Sequence, residues 1–142
     1  MRLELTQRSD LAIQALDVIA RSQDEMVRAP EIAPALNIST HYLGTIMGSL
    51  VRAGWVHSMT GPTGGYRLAP LLCEGSMLDL IESMEGRIDP EACLHSDGNR
   101  PVERLCTLHE PWTRARDALL TELATTRLSD VFNLEHVPPH PT

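Results

Sequence analysis

Residues 31–69 read EIAPALNISTHYLGTIMGSLVRAGWVHSMTGPTGGYRLA, and the fold turns on this stretch. Its first part, with Pro30 tolerated in an opening helical turn, predicts a short helix that turns Ile32, Ala33 and Leu36 inward. Pro34 lacks the N–H that would bond back toward Pro30, so this helix should be short or distorted. A tight turn through Asn37 follows. Ser39 or Thr40 then caps a longer helix, whose apolar residues repeat at Leu43, Ile46, Met47 and Leu50 and which stops at Gly54. Beyond it, WVHSM and GYRLA read as two strands, and TGPTG between them supplies the Gly and Pro of a hairpin loop.

Outward from this centre, SDLAIQALDVIARSQDE places Leu11, Ala15, Val18 and Ile19 on one helical face, with Ser9 or Asp10 as cap. Three helices and a hairpin make a winged helix-turn-helix, a fold that lays its last helix in a DNA major groove while the wing follows the backbone or minor groove. SMLDLIESMEG predicts a fourth helix ending at Gly86. A long helix from Pro111 to Thr125 carries Trp112, Ala115, Leu119 and Leu123 at helical spacing, and RLSDVF adds a short last one. A long amphipathic helix outside a small winged helix is expected to bury its stripe against a second subunit. The expected class is therefore mainly α, a winged helix-turn-helix with a two-strand wing plus a long C-terminal dimerisation helix. Its expected division is a DNA-binding domain over 1–70, a loop and dimerisation helices over 71–132, and a disordered tail over 133–142.

Composition narrows the partners. Residues 1–70 carry six Arg and six acidic side chains, whereas residues 71–142 carry six Arg against thirteen acids, so the net charge of −7 resides in the second half. The balanced half can meet phosphates; the acidic half is not expected to. The N-terminus is amphipathic and has acidic residues in its first ten positions, which indicates neither a signal peptide nor a membrane span and places the chain in the cytoplasm. Three cysteines cannot all pair within one chain, which suits a reducing compartment with thiols available for metal or redox chemistry. No Ser/His/Asp set, phosphate loop or paired carboxylates point to an enzyme, and GPTGGY joins two strands instead of opening a helix.

EIA, YL, LVRAGWV and GPTGGYRLA, with LDLIESMEG further on, resemble the IscR/NsrR-type regulators of the Rrf2 family over nearly the whole chain. The resemblance implies a dimeric bacterial winged-helix transcription regulator, and in many members an iron-sulfur cluster that senses iron, nitric oxide or redox state. Family members that hold a cluster place three cysteines in the loop before the long helix. Here Cys93 matches the first and Cys106 the last, while the middle one is absent near Gly98 to Arg100. His109 matches a histidine found three residues after the last cysteine, and Asp10 matches an acidic ligand from the partner's first helix. His95 is an additional local candidate. Two thiolates with two other ligands suit a two-iron, two-sulfur centre better than a four-iron one, and nitrogen or oxygen ligation would raise its potential and make it proton-coupled.

Other readings of the same residues stand beside this one. The two loop cysteines could be unliganded, and Cys93, His95, Cys106 and His109 also form a Cys2His2 set for zinc, although one residue between Cys93 and His95 is short for a zinc finger. Cys73 reads as a small, partly buried side chain, Asp10 as helix cap as much as ligand, and His57, His136 and His140 as surface or tail residues. The chain could also be a cluster-free family member that senses through thiols, zinc or a small effector, or a winged helix that docks a protein.

For the operator, Ser39, Thr40, His41, Tyr42 and Thr45 lie at the start of the recognition helix, with Tyr42 equally suited to the core. Arg52 near the helix end and Arg67 on the wing are candidate phosphate contacts. Thr60, Gly61, Thr63, Gly64 and Gly65 form the wing tip, where the glycines allow close backbone approach. Against the family pattern, Thr60 stands where many members have a wing arginine, and Gly44 where some have an acidic base reader. The sequence thus predicts a homodimeric, DNA-binding repressor on double-stranded operator DNA, with no membrane partner.

Overall fold

The computed structural model describes residues 3–23, 25–88 and 107–134. The order of elements is α1 (Gln7–Ala20), α2 (Ala29–Leu36), α3 (Thr40–Ala53), β1 (Val56–Met59), β2 (Gly65–Leu68), a 3-10 turn (Pro70–Cys73), α4 (Met77–Glu85), α5 (His109–Thr125) and α6 (Leu128–Val131). This is the expected mainly helical winged helix-turn-helix with a two-strand wing.

Local chemistry sets most boundaries. The Ser39 hydroxyl accepts the Tyr42 N–H at 3.0 Å to cap α3, and Gly54 closes that helix at φ +87°, with Trp55 N–H bonding back to the Leu50 carbonyl at 3.0 Å. α2 has only eight residues, as Pro34 requires, and Asn37 terminates it in the left-handed region at φ 56°, ψ 44°, which asparagine tolerates better than most side chains. Ser76 and Asp79 form a reciprocal capping box at the start of α4.

The start of α1 differs from expectation. Thr6 is the cap, its hydroxyl accepting the Ser9 N–H at 3.2 Å, so Ser9 and Asp10 both lie inside the first turn. Ser9 is needed elsewhere: it is buried, and its hydroxyl donates to Glu85 Oε2 at 2.8 Å, at the far end of α4. Asp10 is exposed and accepts from Gln14 Nε2 at 2.9 Å; a carboxylate in the first turn also favours the positive end of the helix dipole.

β1 and β2 pair antiparallel, Val56 opposite Leu68 and Met59 opposite Gly65. Val27 adds a one-residue third rung on the outer side of β2, exchanging bonds with Tyr66 at 2.9 and 2.7 Å. This places the N-terminus of α2 beside the wing.

The core does not break near residue 70. Leu16, Ile32, Leu43, Ile46, Met47 and Leu50 of the three-helix unit share one cluster with Leu72, Leu80, Met84, Leu128 and Phe132. Trp55 joins the two parts: its ring lies against Gly75 and its indole N–H donates to Ser83 Oγ at 2.9 Å. Met77 N–H to Thr126 O at 2.8 Å and Leu128 N–H to Gly75 O at 3.1 Å fix the α5–α6 junction at the start of α4. Leu134 packs on this core, within the segment read from sequence as tail; residues 135–142 lie outside the described residues.

α5 is different. None of its seventeen residues is buried, and Leu119 is 49% exposed. Its apolar stripe, including Trp112 and Leu123 at intermediate exposure, has little cover among the described residues.

Candidate nucleic-acid interface and sensor loop

The first turns of α3 present Thr40, His41 and Thr45 exposed to solvent. Gly44 lies between them with open space where a side chain would stand. The other two sequence candidates have structural roles. The Ser39 hydroxyl is engaged as the cap, and Tyr42 is half-buried and packs on the core, as the second reading of that residue required. The exposed surface of the first turns of α3 is thus formed by small polar groups and one imidazole.

Further along α3, Ser49 is buried, and its hydroxyl bonds to the Thr45 carbonyl at 3.3 Å. The same oxygen accepts from Arg52 at 3.3 Å and from the guanidinium of Arg8 on α1. Arg52 is therefore an exposed cation steadied at its root. Arg8 is a second cation at this place, and nothing in its local sequence marks it, because its partner lies forty-one positions away.

On the wing, Thr60, Gly61 and Thr63 are exposed, and Gly61 adopts φ +100° with open space where a side chain would stand. Gly64 and Gly65 approach backbone within the protein too closely to carry a side chain. A β-carbon on Gly64 would lie 2.1 Å from the Met59 carbonyl oxygen, and one on Gly65 would lie 2.8 Å from that of Val27. Their close approaches are made within the protein, across the hairpin and to the third rung. Arg67 is half-buried on β2 opposite exposed His57. Arg28, absent from the sequence candidates, reaches the wing tip and directs Nη2 toward the Gly61 carbonyl at 3.5 Å.

Of the sensor candidates, Cys93, His95 and Cys106 lie outside the described residues. His109 is the first residue of α5 and is exposed; Asp10 is exposed on α1. Among the described residues no three His, Cys, Asp or Glu side chains converge as a metal site. Cys73 is a free thiol, half-buried as expected, and burial, then the neighbouring Glu74 carboxylate, pushes its pKa up. The end of α4 is tied to the start of α1. Glu85 ends α4, and its carboxylate accepts from Ser9 Oγ and from the Thr6 N–H at 3.3 Å.

The family model described as Rrf2, iron-dependent transcriptional regulator, matches residues 5–134. The chain belongs to the Rrf2 family. Among its Rrf2 relatives, an HTH-type transcriptional regulator of Neisseria meningitidis serogroup B is 31% identical over 131 residues, 92% of this chain and 88% of the relative. The regulator IscR of Photorhabdus laumondii is 29% identical over 136 residues, 95% of this chain and 82% of IscR. Of solved structures, CymR, titled the global cysteine regulator of B. subtilis, superposes with a TM-score of 0.77 at 26% identity, covering 95% of this chain and all of CymR. The winged helix described above is thus the DNA-binding unit of a transcriptional regulator, and the chain is not an enzyme. Among the described residues no helix is long and apolar enough to cross a membrane.

Proposed function

We propose that this Rrf2 regulator is a homodimeric, cytoplasmic repressor whose hold on operator DNA responds to a two-iron, two-sulfur cluster in the loop between α4 and α5. The observation that carries the reading is the donor set: Cys93 and Cys106 in that loop, with exposed His109 opening α5 three positions after Cys106. Two thiolates, an imidazole and a fourth ligand from Asp10 of the partner or His95 are a set that a two-iron centre accepts. When bound, such a group supplies a charge that changes with oxidation, reduction or reaction with nitric oxide.

The protein's own part is transmission. Glu85, the last residue before Gly86 and the loop, holds the start of α1 through Ser9 and Thr6. Arg8 in the same turn holds Ser49 of the recognition helix. A shift of the loop is passed along this hydrogen-bonded path, and the uncovered α5 stripe carries the second subunit, so the spacing of the two recognition helices changes. Operator affinity changes only by as much as the two arrangements differ in stability.

Replacing Cys93 or Cys106 with Ala is the test. Each variant, purified without oxygen, is expected to lose iron and sulfide and to bind a selected operator without responding to nitric oxide. Full cluster absorbance with unchanged regulation counts against the proposal. A second reading, a cluster-free regulator that answers to a thiol or small effector, is favoured by the likeness to a cysteine regulator. Zinc in the Cys2His2 set is its metal-bound variant.

A further inference from the structure

The wing tip is uncharged. Residues 58–65, Ser-Met-Thr-Gly-Pro-Thr-Gly-Gly, carry no ionisable side chain, yet a wing that follows a phosphate backbone needs a cation. The structure brings one from another element. Val27 pairs with Tyr66 on β2, so the chain passes the root of the wing just before α2 begins. The backbone N–H of Arg28 is held by Glu31 Oε2 at 2.8 Å. Its exposed side chain runs to the wing tip, where Nη2 lies 3.5 Å from the Gly61 carbonyl. That contact is long, enough to orient the side chain without occupying it. A guanidinium has five N–H donors in a planar fork that matches a phosphate.

We propose that Arg28 is the phosphate-binding cation of the wing tip, supplied from the N-terminus of α2 to a turn that has none. The proposal rests on the wing lying against DNA. Thr60, Gly61 and Thr63 shape the tip, and Arg28 supplies its charge. Because a phosphate contact carries no sequence information, Arg28 adds affinity equally on every duplex.

The test uses the full chain, a duplex operator selected by it from random sequence, and an unrelated duplex of the same length. Arg28→Gln keeps an N–H for Gly61 and removes the charge. Each lost contact should lower affinity about fivefold at about 0.15 M salt and flatten the dependence of log K on log salt by about 0.9. The loss should be the same on both duplexes, R28K should retain the wild-type slope, and Thr60→Arg in the R28Q background should restore it. Unchanged affinity and slope in R28Q, or a loss confined to the selected operator, would overturn the proposal. Failure of the wild-type chain to bind any duplex would overturn the DNA-binding reading and this inference together, whereas a normal wild type with an indifferent R28Q sinks the inference alone.

Discussion

Gly75→Ala tests whether the winged helix and the C-terminal helices form one cooperative unit. A β-carbon on Gly75 would stand 2.6 and 2.7 Å from two ring atoms of Trp55 and 3.2 Å from Leu128 Cδ1. Carbon atoms pack at about 3.5–4.0 Å, so the indole must retreat by roughly 1 Å. Trp55 is 6% exposed and belongs to the buried core. Overpacking of this kind costs about 1–3 kcal/mol. The retreat also stretches the 2.9 Å bond from Trp55 Nε1 to Ser83 Oγ, which is worth about 1 kcal/mol. The sum is a loss of about 2–4 kcal/mol. Urea unfolding, followed by far-ultraviolet circular dichroism and by fluorescence of Trp55 and Trp112, would measure it at fixed protein concentration. One transition with an unchanged slope and a lower midpoint is expected. A loss below about 0.5 kcal/mol, within the range of an ordinary surface change, would refute the packing argument. Two separate transitions would refute the single core.

Gly64→Ala should open the wing, because its β-carbon would meet backbone and not a side chain that can move; operator affinity should fall by about tenfold or more while helix content stays, as gel shift and circular dichroism would show. Burial, and then the Glu74 carboxylate, pushes the Cys73 thiol up, so its iodoacetamide reaction should titrate at higher pH than that of an exposed cysteine. Because the folded state holds this proton more tightly, its contribution to stability is present below the unfolded thiol pKa and is lost as pH rises through the folded one; Cys73→Ser should flatten the alkaline limb of a stability profile. Leu119→Asp, on the exposed stripe of α5, should shift the sedimentation coefficient from that of the proposed dimer toward monomer without lowering helix content.

Where signals were local, the chain could be read directly. Ser39, Asn37 and Gly54 each act within one turn, and they set α2, α3 and the turn between them as expected. Where a distant partner decides, the sequence misled or was silent. Ser9 resembles a cap, but it is buried against Glu85, seventy-six positions away, and Thr6 caps instead. Arg28 and Arg8 look like ordinary surface cations until the wing and α3 are folded beside them. α6 is too short to show periodicity, so Leu128 and Phe132 gave no sign that they complete the main core. The wing glycines are legible as sites of close backbone approach, but the partners of Gly64 and Gly65 within the hairpin and the third rung are set by folding and do not show in the sequence. The proposed cluster ligands rest on resemblance, since of them only His109 and Asp10 fall among the described residues.

The most direct measurement is the visible absorption spectrum of protein purified without oxygen, together with iron, sulfide and zinc analysis. The account predicts cysteinyl-to-iron bands and about two irons and two sulfides per site. A colourless protein holding zinc or no metal, and still binding its operator, would contradict the cluster and leave a Rrf2 regulator that takes its signal elsewhere.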